Sequence, residues 1–94
     1  MMIRSVNVII PLKNEEKGIK NLIEKLTPVL DRIEKKTNIS LIDDHSSDQT
    51  WNILKQHEEK IDCVKAYKNE NATGFGNALK TGIDKNQDDA VVVF

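Results

Sequence analysis

The chain has 94 residues, 38% hydrophobic and 31% charged, a balance that suits one small globular domain and excludes both a disordered tail and a pair of domains. With Lys+Arg 14 against Asp+Glu 15 the net charge is -1, so no broad basic field exists to draw nucleic acid or an anionic membrane, and any binding site is local. The single cysteine, Cys63, excludes an internal disulfide and fits a reducing, cytoplasmic setting, and no apolar run nears the ~20 residues of a membrane span.

Taken in chain order, the first strand is Val6-Asn7-Val8-Ile9-Ile10, a β-branched run ended by Pro11. Ile19, Leu22, Ile23, Leu26, Leu30 and Ile33 then fall on one helical stripe. Pro28 inside that stripe predicts a kink or a break, with Thr27 capping a second piece. A second strand, Ile39-Ser40-Leu41-Ile42, ends at Asp43-Asp44. A second helix starts at Ser47 or Asp48 and buries Trp51 and Leu54. The third strand is Cys63 to Tyr67, and the third helix carries Phe75, Ala78, Leu79, Gly82 and Ile83 on one face. Ala90 to Phe94 forms a fourth strand. The order βαβαβαβ implies parallel pairing and a three-layer α/β/α sheet. No helix follows the last strand, so exposed apolar sheet and a homo-oligomer formed through it are expected of these residues.

In such sheets ligands bind beyond the carboxyl ends of the strands, and each of the first three strands runs into a polar turn. The first is Pro11-Leu12-Lys13-Asn14-Glu15, where Asn14 can cap the first helix and Glu15 and Glu16 complement its N-terminal dipole. A rigid Pro11 turn and the Glu15 carboxylate also suit a nucleoside's ring and ribose hydroxyls. The second, Asp43-Asp44-His45-Ser46-Ser47-Asp48, sets two adjacent carboxylates at a strand end, more acid than a cap needs. Such a pair is comfortable when it accepts hydrogen bonds from a ligand or from backbone amides. The third runs from Lys68 and Asn69 to Gly74-Phe75-Gly76-Asn77-Ala78 and opens a helix whose amides can receive a pyrophosphate. Lys13 and Lys68 are the candidate phosphate cations.

These motifs, Pro-x-x-Asn-Glu, Asp-Asp-x-Ser-x-Asp-x-Thr and Asn-x(4)-Gly-x-Gly-x-Ala-x-x-x-Gly, together resemble the opening of a family 2 glycosyltransferase of GT-A fold, over Val6 to Phe94. The segment Gly74 to Gly82 is similar to the branch that moves a sugar onto a polyprenyl phosphate, as dolichol-phosphate mannosyltransferases do. The resemblance implies that Pro11, Leu12, Lys13, Asn14 and Glu15 border the nucleoside of a UDP- or GDP-sugar. It implies that Asp44, with Asp43 and Ser46 beside it, accepts from the base or ribose, and that Lys68, Asn69, Gly74, Gly76 and Ala78 approach the nucleotide from the side. Lys13 stands where the family often has an aromatic residue, and His45 where glycine is frequent.

The family's Asp-x-Asp motif, which holds a divalent Mg or Mn ion on the diphosphate, is expected immediately after the fourth strand, where this sequence stops. These 94 residues therefore read as the N-terminal nucleotide-binding part of a transferase domain, truncated at Phe94 and without metal ligands, acceptor region or catalytic base. The resemblance further implies a polyprenyl-phosphate acceptor and work at the cytoplasmic face of a membrane. No Gly-x-Gly-x-x-Gly follows the first strand and no P-loop occurs, which disfavours dinucleotide and NTP hydrolase classes. The rival reading is a non-catalytic nucleotide-binding or self-associating α/β module.

Overall fold

The computed structural model describes residues 2–94. It contains β1 (Ser5–Leu12), α1 (Ile19–Asp31), β2 (Lys36–Asp43), α2 (Thr50–Lys60), β3 (Val64–Lys68), α3 (Phe75–Asp84) and β4 (Ala90–Val93). The strands form one parallel sheet in the order β3-β2-β1-β4. Two successive crossovers step from β1 to β2 to β3, and the third returns past β1 to β4. Because parallel crossovers share one hand, that reversal sends α3 to the face opposite α1 and α2.

Two apolar clusters confirm the three layers. On one face Ile19, Ile23 and Leu26 of α1 and Leu54 of α2 pack on Val8, Ile10, Leu12, Ile39, Leu41, Val64 and Ala66. On the other face the cluster is small: Ala78 of α3 meets Ile9 and Ile42, with Tyr67, Leu79 and Val91 at its edge. Strand residues alternate between these clusters, so the near-continuous apolar runs of β1 and β2 are what a sheet covered on both faces requires.

Several expectations need correction. Pro11 does not end the first strand, which runs on to Leu12, paired through Leu12↔Asp43. The carbonyl of Leu12 accepts from Asp44 N on the β2 side, whereas that of Ile9 accepts from Phe94 N on the β4 side. By alternation the missing N–H of Pro11 faces the β4 side, beyond the last β4 pair at Val93, where no ladder bond is lost. Pro28 likewise does not break α1, which is continuous through it. Glu24, whose carbonyl loses its donor, and Pro28 both lie on the exposed side, and Thr27 donates its hydroxyl to the Ile23 carbonyl at 2.8 Å rather than capping anything. Ile33 falls beyond the helix end. The second helix starts at Thr50, later than Ser47 or Asp48, with the Asp48 carboxylate accepting the Thr50 amide at 2.9 Å. On α3 the buried positions are Ala78, Thr81 and Gly82, while Phe75 and Ile83 are exposed.

Glu58 on α2 illustrates how helix and sheet are tied. Its carboxylate accepts from Lys55 and, at 2.7 Å, from the Ala66 amide of β3. The Lys55 hydrogen bond first, then the Ala66 amide, hold the Glu58 carboxyl below its ordinary value of 4.5. A depressed carboxyl stabilises the fold above its unfolded pKa, and that contribution is lost as pH falls through the folded one. Glu58→Gln should therefore flatten the acid limb below pH 4.5, read as urea midpoints between about pH 3 and 6; an unchanged slope would show that the tie contributes nothing.

Candidate functional site

The carboxyl ends of β1 and β2 are fixed by the ladder itself. Asp44 N donates to Leu12 O at 2.8 Å and Asn69 N donates to Asp43 O at 2.9 Å. The Asp43-Asp44 backbone is thus held between the ends of both neighbouring strands, and both side chains are buried, at 5% and 6% exposure.

The turn after β2 is the hub of the site. Towards the turn after β1 it makes six cross-links, one of them from Ser47 Oγ to Asn14 Oδ1 at 3.3 Å. Asn14 N donates to Ser46 Oγ at 2.9 Å, Ser47 N to Asn14 Oδ1 at 2.8 Å, and Glu15 N to Thr50 Oγ1 at 2.9 Å. Glu16 N donates to Asp48 Oδ2 at 3.3 Å, and Gln49 N returns to Glu16 Oε2 at 3.1 Å. Asn14 therefore does not cap α1, whose N-cap position, Gly18, carries no side-chain cap; it bridges two turns. Its φ of 51° is one that asparagine tolerates better than most residues. Glu16 serves the N-terminus of α2 rather than that of α1, where its negative charge is favourable.

Towards the third turn the link is Asp44. Its Oδ1 accepts from Asn69 Nδ2 at 2.9 Å, and its carboxylate accepts the Gly74 amide at 3.1 Å on Oδ2 and 3.3 Å on Oδ1. Asn69 is in turn held by Thr81, whose hydroxyl donates to Asn69 Oδ1 at 3.1 Å, and it accepts the Asn71 amide at 2.9 Å. His45, at φ 59°, reaches the Asn71 carbonyl through Nε2 at 2.7 Å. Asp43 takes the Ser46 amide at 3.3 Å. The adjacent carboxylates thus meet their hydrogen-bonding needs largely with protein donors, and charge-assisted bonds of this kind fix geometry strongly.

Gly74 adopts φ 145° and ψ 147°, a region that only glycine enters without strain. A Cβ there meets nothing within 4 Å, so Gly74→Ala should cost about 2 kcal/mol through backbone strain alone. Gly76, with equally open space but inside the first turn of α3, should gain about 0.5–1 kcal/mol as alanine. Urea unfolding of both variants checks the contrast; effects of the same sign would contradict the glycine-only backbone at position 74.

The three turns border an open cavity of about 180 Å³ lined by Pro11, Leu12, Lys13, Asp44 and Phe75. It lies at the carboxyl ends, beside the switch point between β1 and β4. Pro11, Leu12 and Phe75 are its apolar lining, the Asp44 side chain that borders it is buried, and Lys13 is exposed. The first amides of α3, which lack intrahelical partners, open near it. Larger hollows, about 650 Å³ between α1 and α2 and about 390 Å³ around Asn7, Ser40 and Lys65, gather none of the three turns.

Other residues singled out in the sequence stand elsewhere. The ammonium of Lys68 lies 4.8 Å from the centre of the Trp51 ring, away from the cavity. Glu15 is exposed, with Oε2 folded back 3.4 Å from the Cβ position of Gly18. Ala78 is core, Gly76 is exposed beside the rim, and Ser46 and Asn69 act by holding the turns. Sequence reasoning missed Thr50 and Thr81 as partners and Phe75 as a wall; only the Gly-Phe-Gly context hinted at the last. Among the described residues no group of three or more His, Cys, Asp and Glu could hold a metal ion, and no helix is long and apolar enough to cross a membrane.

The sequence profile described as "Glycosyl transferase family 2" matches residues 7–94. The UDP-N-acetylglucosamine--dolichyl-phosphate N-acetylglucosaminyltransferase of Methanococcus voltae is 34% identical over 92 residues, covering 85% of this chain and 35% of its own. The undecaprenyl-phosphate 4-deoxy-4-formamido-L-arabinose transferase of Pseudomonas syringae pv. syringae (strain B728a) is 28% identical, covering 96% of this chain and 27% of its own. The crystal structure of S. aureus TarS 1-349 superposes with a TM-score of 0.78 at 25% identity, over 96% of this chain and 26% of that one. The chain therefore spans about a third or less of the length of the relatives it matches.

Proposed function

This chain belongs to glycosyl transferase family 2, and on that footing we propose that it supplies the nucleotide-binding half of an enzyme moving a sugar from a UDP- or GDP-sugar to a polyprenyl phosphate. The observation that carries the reading is the convergence of three polar turns on Asp44 around one cavity at the strand ends. The substrates named for two relatives, dolichyl phosphate and undecaprenyl phosphate, support the acceptor class and, with it, work at the cytoplasmic face of a membrane.

In this reading Pro11, Leu12 and Asp44 receive the nucleoside, and Asp44 accepts an N–H or O–H with the lone pairs that Gly74 and Asn69 leave free. Lys13 and the first amides of α3 face the diphosphate. Asn14, Ser46 and Asn69 keep the turns in place before the ligand arrives, which lowers the ordering cost of binding. Among the described residues no group of three or more His, Cys, Asp and Glu could hold a divalent metal on the diphosphate. No step is assigned to it.

The second reading, a self-associating module, is favoured by the exposure of Val92, Val93 and Phe94 on the β4 edge. One experiment separates the two: melting of the 94-residue chain at several protein concentrations, with and without UDP or GDP. A nucleotide at 100 times its dissociation constant should add ~2.7 kcal/mol of stability. No shift with either nucleotide, together with a melting temperature that rises with protein concentration, would sink the donor-site reading and leave the module.

A further inference from the structure

Phe75 and Ile83 are the two large apolar side chains that α3 leaves exposed, and Phe75 is the one at the strand-end site. It is the first residue of α3, follows Gly74 with its φ of 145°, and is 60% exposed. A lone exposed phenylalanine is ordinary on a protein surface, but this one lines the same cavity as Pro11, Leu12 and Asp44. Its position is fixed from both sides. The Gly74 amide is anchored on Asp44, and Ala78 N closes the first helical turn on Gly74 O at 2.9 Å. Lys13, the cavity residue that follows Leu12 in the first turn, is a cation and offers no ring face.

We infer that Phe75 is the aromatic wall on which the base of the bound nucleotide stacks, with the Pro11 ring closing the other side. The inference rests on the nucleotide-binding reading and adds to it a base subsite in the third turn. A flat base between an aromatic face and a proline ring keeps its edge directed at the Asp44 carboxylate, so stacking and edge recognition are satisfied in one pose. A ring recognises any base by its π-face, so Phe75 contributes affinity for UDP and GDP alike, while the choice between them falls to the groups at the base edge.

The test uses the 94-residue chain, with Phe75→Ala and Phe75→Trp variants that are expected to fold because the side chain is exposed. Titration calorimetry with UDP, GDP and base-free ribose 5-phosphate reads the subsite. Phe75→Ala should weaken both nucleotides by about 5- to 150-fold, the range for loss of one base–aromatic stack, and leave ribose 5-phosphate unchanged. Phe75→Trp should restore binding. Nucleotide affinities within twofold of wild type in Phe75→Ala would overturn the inference while leaving the nucleotide site intact. Equal losses for nucleotides and ribose 5-phosphate would also overturn it, because Phe75 would then act by shaping the turn. If the unaltered chain bound neither UDP nor GDP, the reading beneath the inference would fall with it.

Discussion

Asp44→Ala should lower the unfolding free energy of this chain by about 3 kcal/mol, and Asp44→Asn by roughly half as much. The carboxylate is 6% exposed and accepts from Asn69 Nδ2 and the Gly74 amide. Alanine strands the Gly74 N–H with no acceptor, whereas Asn69 keeps a second partner in the Ala72 carbonyl at 3.1 Å. Asparagine retains an oxygen for Gly74 but turns an amide towards Asn69. Domains of this size hold only roughly 5–15 kcal/mol in all, so the alanine variant should show a plainly lower urea midpoint, followed by Trp51 fluorescence. Because Asn69 acts through the same bonds, Asn69→Ala should cost less in the Asp44→Ala background than in the wild type. A loss below about 0.5 kcal/mol for Asp44→Ala would show that the turns hold their places without their hub.

The second large effect belongs to Gly82. A Cβ on this residue would stand 2.6 Å from Cγ2 and 3.1 Å from Cδ1 of Ile9, itself fully buried, and 3.4 Å from Cδ1 of Ile42. Neither neighbour has room to retreat in a close-packed layer. Gly82→Ala should therefore cost about 3 kcal/mol, the upper end for overpacking a core and against the helix preference for alanine. Ile9→Ala alone loses about 2–5 kcal/mol through its cavity, yet the double variant should lose less than the sum, since each change relieves the other. Additive losses would mean that α3 does not approach β1 this closely. The contact also serves the site, because the close seat of α3 sets where Gly74 and Phe75 stand at the cavity rim.

The fold was legible because its signals are local and periodic. The Val6 to Ile10 and Ile39 to Ile42 runs and the Ile19 to Leu30 stripe state strand and helix almost without tertiary help, and their order fixes the parallel sheet. What escaped the sequence depends on partners distant along the chain. Pro28 looks like a helix breaker until Glu24 and Pro28 are seen to share the exposed side of α1. Asn14 and Glu16 look like caps of the helix that follows them, but their acceptors serve backbone amides of Ser47 and Gln49, over thirty residues away. Thr81 looks like a solvated helix position, and its burial follows from Asn69 reaching back beneath α3.

The candidate site divides along the same line. Residue type and position marked Pro11, Leu12, Lys13 and Asp44, which the structure brings to one cavity. The same logic proposed Lys68, which is drawn instead to the Trp51 ring on α2, and Ala78, which the core claims. Burial of Asp43 and Asp44 by the ends of the neighbouring strands was not visible from the pair alone, because an acidic doublet at a strand end reads equally well as solvated.

The decisive measurement is an amide chemical-shift map of the isotopically labelled 94-residue chain titrated with UDP and with GDP. The account predicts saturable shifts confined to the turns after β1, β2 and β3 and the start of α3, with Lys13, Asp44, His45, Gly74 and Phe75 among the most affected. Saturable shifts centred instead on the α1–α2 groove or on the Asn7 and Lys65 hollow, with these turns silent, would contradict it.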